Sequence, residues 1–342
     1  MKVNLKDMTP EELRAYFIGT GEKAFRASQV FRWMHQGAGG FDEMTNLPAA
    51  LRDKLGETAE IRCLNTVRVL RSALDGTVKF VFETRDGRRV ESVFMRYRYG
   101  NSVCVSSQAG CRMGCRFCSS AREGLERNLS AGEITDQILL AEKDTGERAG
   151  RVVIMGTGEP FDNFENMKRF VETITRKESR GLSRRNITVS TCGLIPEMRR
   201  FAEELPQVNL AVSLHAANDE TRNMLMPVNR KYGMNELLNA SREYTVKTGR
   251  RITFEYALIS GVNDGRACAA ELAGRLRGMN CHVNVISMNP VAESGLTGGG
   301  REAAAAFAAE LGGAGVQATV RRELGRDIAA ACGQLRLGIT AD

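Results

Sequence analysis

The sequence predicts an α/β protein: a parallel sheet, open or closed into a full or partial barrel, preceded by a small helical unit and a short antiparallel β segment. Three observations carry this reading. From about Val103 onward, strand-like and helix-like stretches alternate over about 230 residues, the rhythm of repeated βα units. The first sixty residues have helical periodicity. Between the two, residues 61–93 alternate apolar and polar side chains and are rich in β-branched residues. A chain of 342 residues has room for one large domain and a smaller one.

In order, "TPEELRAYF" offers Thr9 as N-cap, Pro10 at the first helical position and two glutamates in the first turn. "AFRASQVFRWMHQ" spaces Phe25, Val30, Phe31 and Met34 along one helical face, and "LPAALRDKLGE" forms a third short helix. The next segment carries Asp75-Gly76 and Asp86-Gly87, both hairpin signals for a small antiparallel sheet. Then come the candidate strands "SVCVSS", "RVVIMG", "NITVST", "VNLAVSLH", "RITFEYALI", "HVNVISMNP" and "VQATVRRE". The helix over 130–145 opens with a capping box, Ser130 to Glu133. "TGGGREAAAAFAAELGGAG" reads as a glycine loop feeding an alanine-rich surface helix.

Lys and Arg number 48 against 41 Asp and Glu, for a net charge of +7 and a pI near 9.0, which weakly favours an anionic partner such as nucleic acid. The first ten residues hold no apolar leader core, and no run of about 18 apolar residues occurs, so neither a secretory signal nor a membrane span is expected. The nine cysteines are odd in number and scattered, which predicts a reduced cytoplasmic chain with a metal or redox site rather than a disulfide framework.

That site is "CRMGCRFC". Cys111, Cys115 and Cys118 stand in a CX3CX2C spacing that can set three thiolates around one cubane on a tight loop. Structural zinc and ferredoxin-type clusters use four ligands. A 4Fe–4S cluster held by three cysteines leaves one iron able to bind a small molecule with an amino and a carboxylate group, as S-adenosylmethionine (SAM) has. Gly114 permits the turn and Phe117 can shield the cluster. The competing reading is a zinc knuckle completed by a distant ligand such as His215. Polar and glycine-rich residues fall at the predicted strand ends, where α/β folds gather their sites: "GTGEP", "STCG", "SLH", "MNP" and "GRDIAAACGQL".

At these residues the chain resembles a known family. "CRMGCRFC" looks like the radical SAM signature. "CVSSQAGCRMGCRFCSS", "SLHAANDETRNMLMPVNRKY", "GRRITFEYALISGVND", "HVNVISMNPV" and "VRRELGRDIAAACGQLR" are similar to the RlmN family, as are the N-terminal "ASQVFRWMHQG" and "MTNLPAALRDKL". The resemblance implies a radical SAM methyltransferase with a 4Fe–4S cluster and SAM as cofactors. Its target would be carbon 2 of an adenosine in 23S rRNA and, in some members, in tRNA beside the anticodon. It implies a partial (βα)6 barrel over 101–335, an N-terminal helical accessory domain over 1–60 that engages RNA, the antiparallel segment 61–100 as linker, and a tail, 336–342. By matched motif, Cys111, Cys115 and Cys118 hold the cluster; Gly158, Glu159, Ser190, Ser213, Leu214, His215 and Asn289 contact SAM. Cys332 accepts a methyl group and carries it to RNA, Cys104 resolves the protein–RNA adduct, and Glu91 accepts a proton. The expected partners are RNA and an electron donor such as flavodoxin, with the enzyme a monomer. One departure is Ala329, where the family usually has Asp.

Carbon 2 of adenine is electron-poor, so a thiolate is the reasonable first acceptor of a SAM methyl group, and a second thiol can release the adduct by disulfide formation. For phosphate contacts, the sequence offers Arg85, Arg88, Arg89, Arg96 and Arg98 with Tyr97 and Tyr99, and a second block of Arg176, Lys177, Arg180, Arg184 and Arg185. Two alternatives stay open at this level: a Cfr-type enzyme acting on carbon 8, and a zinc-stabilised RNA-binding protein without catalysis.

Overall fold

The computed structural model of the chain describes residues 2–122, 124–288, 295–331, 333 and 335. Cys332, Asn289 and the 336–342 tail lie outside these described residues.

Three helices begin the chain: α1 (Pro10–Gly19), α2 (Phe25–His35) and α3 (Ala49–Thr58). Thr9 and Glu12 close the capping box of α1, which fixes where it starts. β1 (Val3–Asn4) pairs in parallel with β2 (Ala59–Glu60), joining the two ends of this unit. Leu13, Phe17, Val30, Phe31, Met34 and Leu55 pack into an apolar core of its own. Phe25, expected on that face, is exposed, because it opens α2 at the first turn, clear of the neighbouring helices.

One mixed sheet of ten strands follows, in the order β14-β13-β12-β11-β10-β9-β6-β5-β4-β3. β3 (Leu64–Arg71), β4 (Val78–Thr84), β5 (Arg89–Tyr97) and β6 (Gly100–Val105) are antiparallel neighbours. β6 then pairs in parallel with β9 (Arg151–Ile154). The parallel run continues through β10 (Ile187–Thr191), β11 (Asn209–Ser213), β12 (Ile252–Leu258), β13 (Cys281–Ser287) and β14 (Ala318–Val320). The antiparallel segment is therefore not a separate small sheet. It extends the same sheet, because β6 bonds one neighbour antiparallel and the other parallel. Asp75-Gly76 lies in the connection between β3 and β4, and Asp86-Gly87 in that between β4 and β5.

The long strand-to-strand crossings are helical: α4 (Ala131–Thr145), α5 (Phe164–Thr175), α6 (Ile195–Glu204), α7 (Asp219–Leu225), α8 (Met234–Thr248), α9 (Arg266–Leu276) and α10 (Gly300–Gly313). α10 is not only a surface helix; it buries Ala304, Phe307 and Leu311. The helices pack on one face of the sheet, where α4 meets Phe80, Phe82 and Phe94. Parallel strands joined this way end on one rim. A two-stranded ribbon, β7 (Gln108–Gly110) with β8 (Leu125–Asn128), stands on that rim and brackets residues 111–124.

The N-terminal unit is clamped onto α4. Lys6 forms a buried ion pair with Asp136, whose second oxygen accepts from the backbone N–H groups of Cys63 (2.6 Å) and Leu64 (3.2 Å). Asp7 accepts from Gly132 N at 2.8 Å, at the first turn of the same helix.

Candidate active site

The ribbon closes the cysteine loop at its base. Cys111 N donates to Gly124 O at 2.8 Å. Gly110 sits at φ +72°, and a Cβ there would lie 2.0 Å from Gly124 O, so only glycine allows the closure. Gly114 has φ +70° and Arg116 N donates to Leu225 O (3.0 Å), which docks the loop on the end of α7.

Cys111, Cys115 and Cys118 line one cavity at the strand-end rim, together with Gly158, Glu159, Ser190, Ser213 and His215. Four sequence-predicted segments thus converge: the cysteine loop and the ends of β9, β10 and β11. Leu214 is the exception, since its side chain is fully buried in the apolar core and only its backbone faces the site strands. Gly158 has φ +107°, and a Cβ there would lie 2.6 Å from Gln108 Cβ; glycine lets the 156–159 turn run against the 105–108 backbone.

Glu159 is buried. Its Oε1 accepts from Phe161 N (3.0 Å) and its Oε2 from Cys192 N (2.7 Å). Burial pushes its pKa up, and the hydrogen bonds oppose this. His215 takes a positive φ of 55°, its Nδ1 accepts from Ala257 N (2.9 Å), and the Phe117 ring meets it edge-on with centroids 4.7 Å apart. Burial holds the imidazole neutral, its pKa lowered to about 3, which leaves Nε2 carrying the proton.

The thiols fit the donor set of a cubane. Burial raises the pKa of Cys111 to about 12 and that of Cys115 as well, so both are protonated until a metal displaces the proton. Among the described residues no three Cys, His, Asp or Glu side chains are grouped to hold a single ion. A cubane instead gives each thiolate its own iron.

A second cavity adjoins the first, sharing Met155, Ile286 and Arg321. Cys104, Val93 and Met95 form one wall; Leu324, Ala330 and Leu335 of the C-terminal segment form the other. Glu91 lies two residues before Val93 on β5 and so shares its face. Its Oε1 pairs with Lys79 Nζ at 2.6 Å, while Oε2 accepts no hydrogen bond among the described residues. Burial outweighs the Lys79 ammonium and pushes the carboxyl up to about 7.

The residues flanking Cys332 are held at both sides. Asp327 accepts from Ser72 Oγ (2.7 Å) and Ala73 N (2.9 Å), Gly325 N donates to Asp75 (2.9 Å), and Lys79 Nζ donates to Ala329 O (3.2 Å). On the other side, Ser119 N donates to Gly333 O (3.0 Å) and Ser120 Oγ to Leu335 O (3.1 Å), directly after Cys118. Ala329 itself has φ +48°, a conformation that Asp accommodates more readily.

The basic blocks are largely committed to other contacts. Arg85, Arg88, Arg89, Arg96, Arg176 and Arg180 pair with Glu60, Glu126, Glu83, Glu147, Glu11 and Glu142. The 176–185 block lies between the end of α5 and the start of β10, on the rim opposite the cysteines. Tyr97 and Tyr99 stack on each other at 4.9 Å around the β5–β6 turn, and Tyr97 also lines the second cavity. The sequence reading passed over Arg222, Glu255 and Gln108, which brace or line the site; no spacing separates a buried arginine from a surface one.

Comparison with known proteins agrees with this geometry. Residues 3–61 match the ribosomal RNA large subunit methyltransferase N-terminal domain, and residues 105–271 match the radical SAM superfamily. A probable dual-specificity RNA methyltransferase RlmN of Lachnospira eligens is 50% identical over 97% of this chain and 95% of its own length. Its counterpart in Pelotomaculum thermopropionicum is 52% identical over 98% and 92%. A crystal structure of a radical SAM methyltransferase from Sphaerobacter thermophilus superposes with a TM-score of 0.95 at 44% identity, covering 98% of this chain and 99% of that one. With a three-cysteine loop on a ribbon, a glycine–glutamate turn beside it and full-length similarity to these relatives, the chain belongs to the RlmN family of radical SAM RNA methyltransferases.

Proposed function

We propose that this protein methylates carbon 2 of adenosine in 23S rRNA and in tRNA, through a methyl group carried by Cys332. The observation that supports this most is the pair of adjoining cavities. One gathers the three cluster cysteines with Gly158, Glu159, Ser190, Ser213 and His215; the other sets Cys104 and the face of Glu91 against the segment that flanks Cys332. The bound 4Fe–4S cluster would supply the electron that cleaves SAM.

The chain's own residues divide the remaining work. Glu159 offers a buried carboxylate to the SAM ammonium, while Ser190, Ser213, the Leu214 backbone, His215 and Asn289 orient the rest of the cofactor. Cys332 takes the methyl group as a thiolate nucleophile. Glu91 receives the carbon-2 proton at Oε2. Cys104 attacks the Cys332 sulfur as a thiolate; the S–S bond forms as the sulfur–carbon bond breaks, and the released carbon takes up a proton to become the methyl group on RNA. The parallel strands form the wall of a partial (βα)6 barrel, and the N-terminal unit is the accessory domain that engages RNA. Arg116, Arg230 and Lys231, exposed around the cysteine loop, are placed to meet phosphates at the site rim.

The test uses SAM with a fully deuterated methyl group. Transfer through Cys332 sends one deuterium to 5′-deoxyadenosine and leaves two on the RNA methyl, at carbon 2 by mass spectrometry. Retention of all three deuteriums, or a methyl group at carbon 8, would refute the assignment.

A further inference from the structure

Arg222, on α7, is fully buried and is the largest side chain so enclosed among the described residues. Its guanidinium spends its donors on neutral oxygens. Nη2 donates to Cys192 O (2.7 Å) and Ser213 O (3.2 Å), Nε to Leu214 O (3.2 Å), and Nη1 to Asn229 Oδ1 (2.8 Å). Among the described residues no carboxylate stands within ion-pair distance of it. The negative charge it reaches through hydrogen bonds is Asp219, one step away, where Asn229 Nδ2 donates to Asp219 Oδ1 (2.8 Å). Glu159 lies across the Cys192 peptide, binding its N–H while Arg222 binds its carbonyl. A buried cation without a direct counter-charge is costly to keep.

Its surroundings identify what could balance it. The same helix holds the cysteine loop through Leu225 O, and Cys115 packs with Cys192, Leu225 and Met226 in one cluster. We propose that Arg222 is a positioning residue whose buried charge is the counter-charge of the iron–sulfur cluster, favouring its reduction. The proposal rests on the cluster assignment above. A cubane on three thiolates is net negative and gains one more negative charge on reduction. A fixed cation behind Cys115, in a medium of low dielectric, therefore stabilises the reduced form more than the oxidised one. The same guanidinium ties the strand ends at Cys192, Ser213 and Leu214 together, so charge and geometry are set by one side chain.

The test is a redox titration of the reconstituted full-length protein, followed by electron paramagnetic resonance. Arg222→Gln keeps donors and loses the charge; Arg222→Lys keeps the charge. We expect the Gln variant to be reduced at least tenfold less favourably, a shift of about 59 mV to more negative potential for one electron. The Lys variant should stay within threefold of the wild type. Asp219→Asn, which removes the remote negative charge, should move the potential the opposite way. Gln and Lys variants that both match the wild type would overturn the proposal. If the Gln variant does not load a cluster, an unchanged potential in Asp219→Asn overturns it. Iron and sulfide analysis of the wild type keeps the two questions apart: about four of each per chain upholds the cluster, and their absence fails the parent assignment and this proposal together.

Discussion

Glu91 is a buried carboxylate with a single ammonium beside it. Burial lifts its pKa from 4.5 to about 7, and Lys79 limits the rise. A base at this position works only when ionised, so RNA methylation should climb with pH through about 7 and then level off. Glu91→Gln should abolish turnover, and Lys79→Met should move the rising limb to higher pH, because the ammonium that favours ionisation is gone. A profile that is flat across pH 7 in the wild type would remove Glu91 from the reaction. The stability term has its own sign. The folded pKa is raised, so the contribution is full below 4.5 and is lost as pH rises through about 7, by roughly 3 kcal/mol. Cys104 acts later. Cys104→Ala should leave RNA covalently attached to Cys332, seen as a slow gel species that a Cys104→Ala, Cys332→Ala double variant lacks. Normal turnover in the single variant would make Cys104 an ordinary strand residue.

Among the elements, the β3–β4 connection and the cysteine loop hold the C-terminal segment between them. Asp327 and Asp75 fasten residues 325–327 to the connection, and Ser119 and Ser120 fasten Gly333 and Leu335 to the end of the cysteine loop. The stretch carrying Cys332 therefore spans two anchors. Asp327→Asn leaves one acceptor oxygen where two are used. In that variant, hydrogen exchange over 324–331 should quicken several-fold while α4 and the β10–β12 strands keep their protection. Methylated Cys332, read by intact-protein mass, should fall in the same variant. Unchanged exchange in 324–331 would show that the other contacts suffice. Ala329 belongs to this element too. Its backbone is left-handed, and Lys79 Nζ donates to its carbonyl.

For the molecule as a whole, the link between its two apolar cores is ionic. Lys6 and Asp136 are both buried, and Asp136 also receives two backbone N–H groups at the start of β3. Removing one member of a buried pair leaves an uncompensated charge. Lys6→Met should cost about 3–5 kcal/mol in urea unfolding. A loss below about 1 kcal/mol would show that Asp136 is satisfied by the backbone donors alone. The docking also orients the molecule. It places residues 3–61 against α4, whose first turn lies just beyond β8 of the ribbon that brackets the cysteines.

The sequence by itself determined the chemistry of this protein and the order of its elements. CX3CX2C, the capping boxes at Thr9 and Ser130 and the βα alternation are local patterns, and local patterns survive being read along a line. The positions of Gly158, Glu159, Ser190, Ser213 and His215 were legible because parallel strands deliver their C-terminal ends to one rim. What the tertiary structure alone decided are the quantities set by neighbours distant in the chain. It joined the antiparallel strands to the parallel ones through β6, and it spent most of the arginines read as RNA contacts on ion pairs or on the far rim. It buried Arg222 beside the cysteine loop and set Glu91 next to Lys79, which fixes its proton affinity. Burial and charge pairing depend on what folds against a residue from elsewhere, and no spacing in the sequence encodes that.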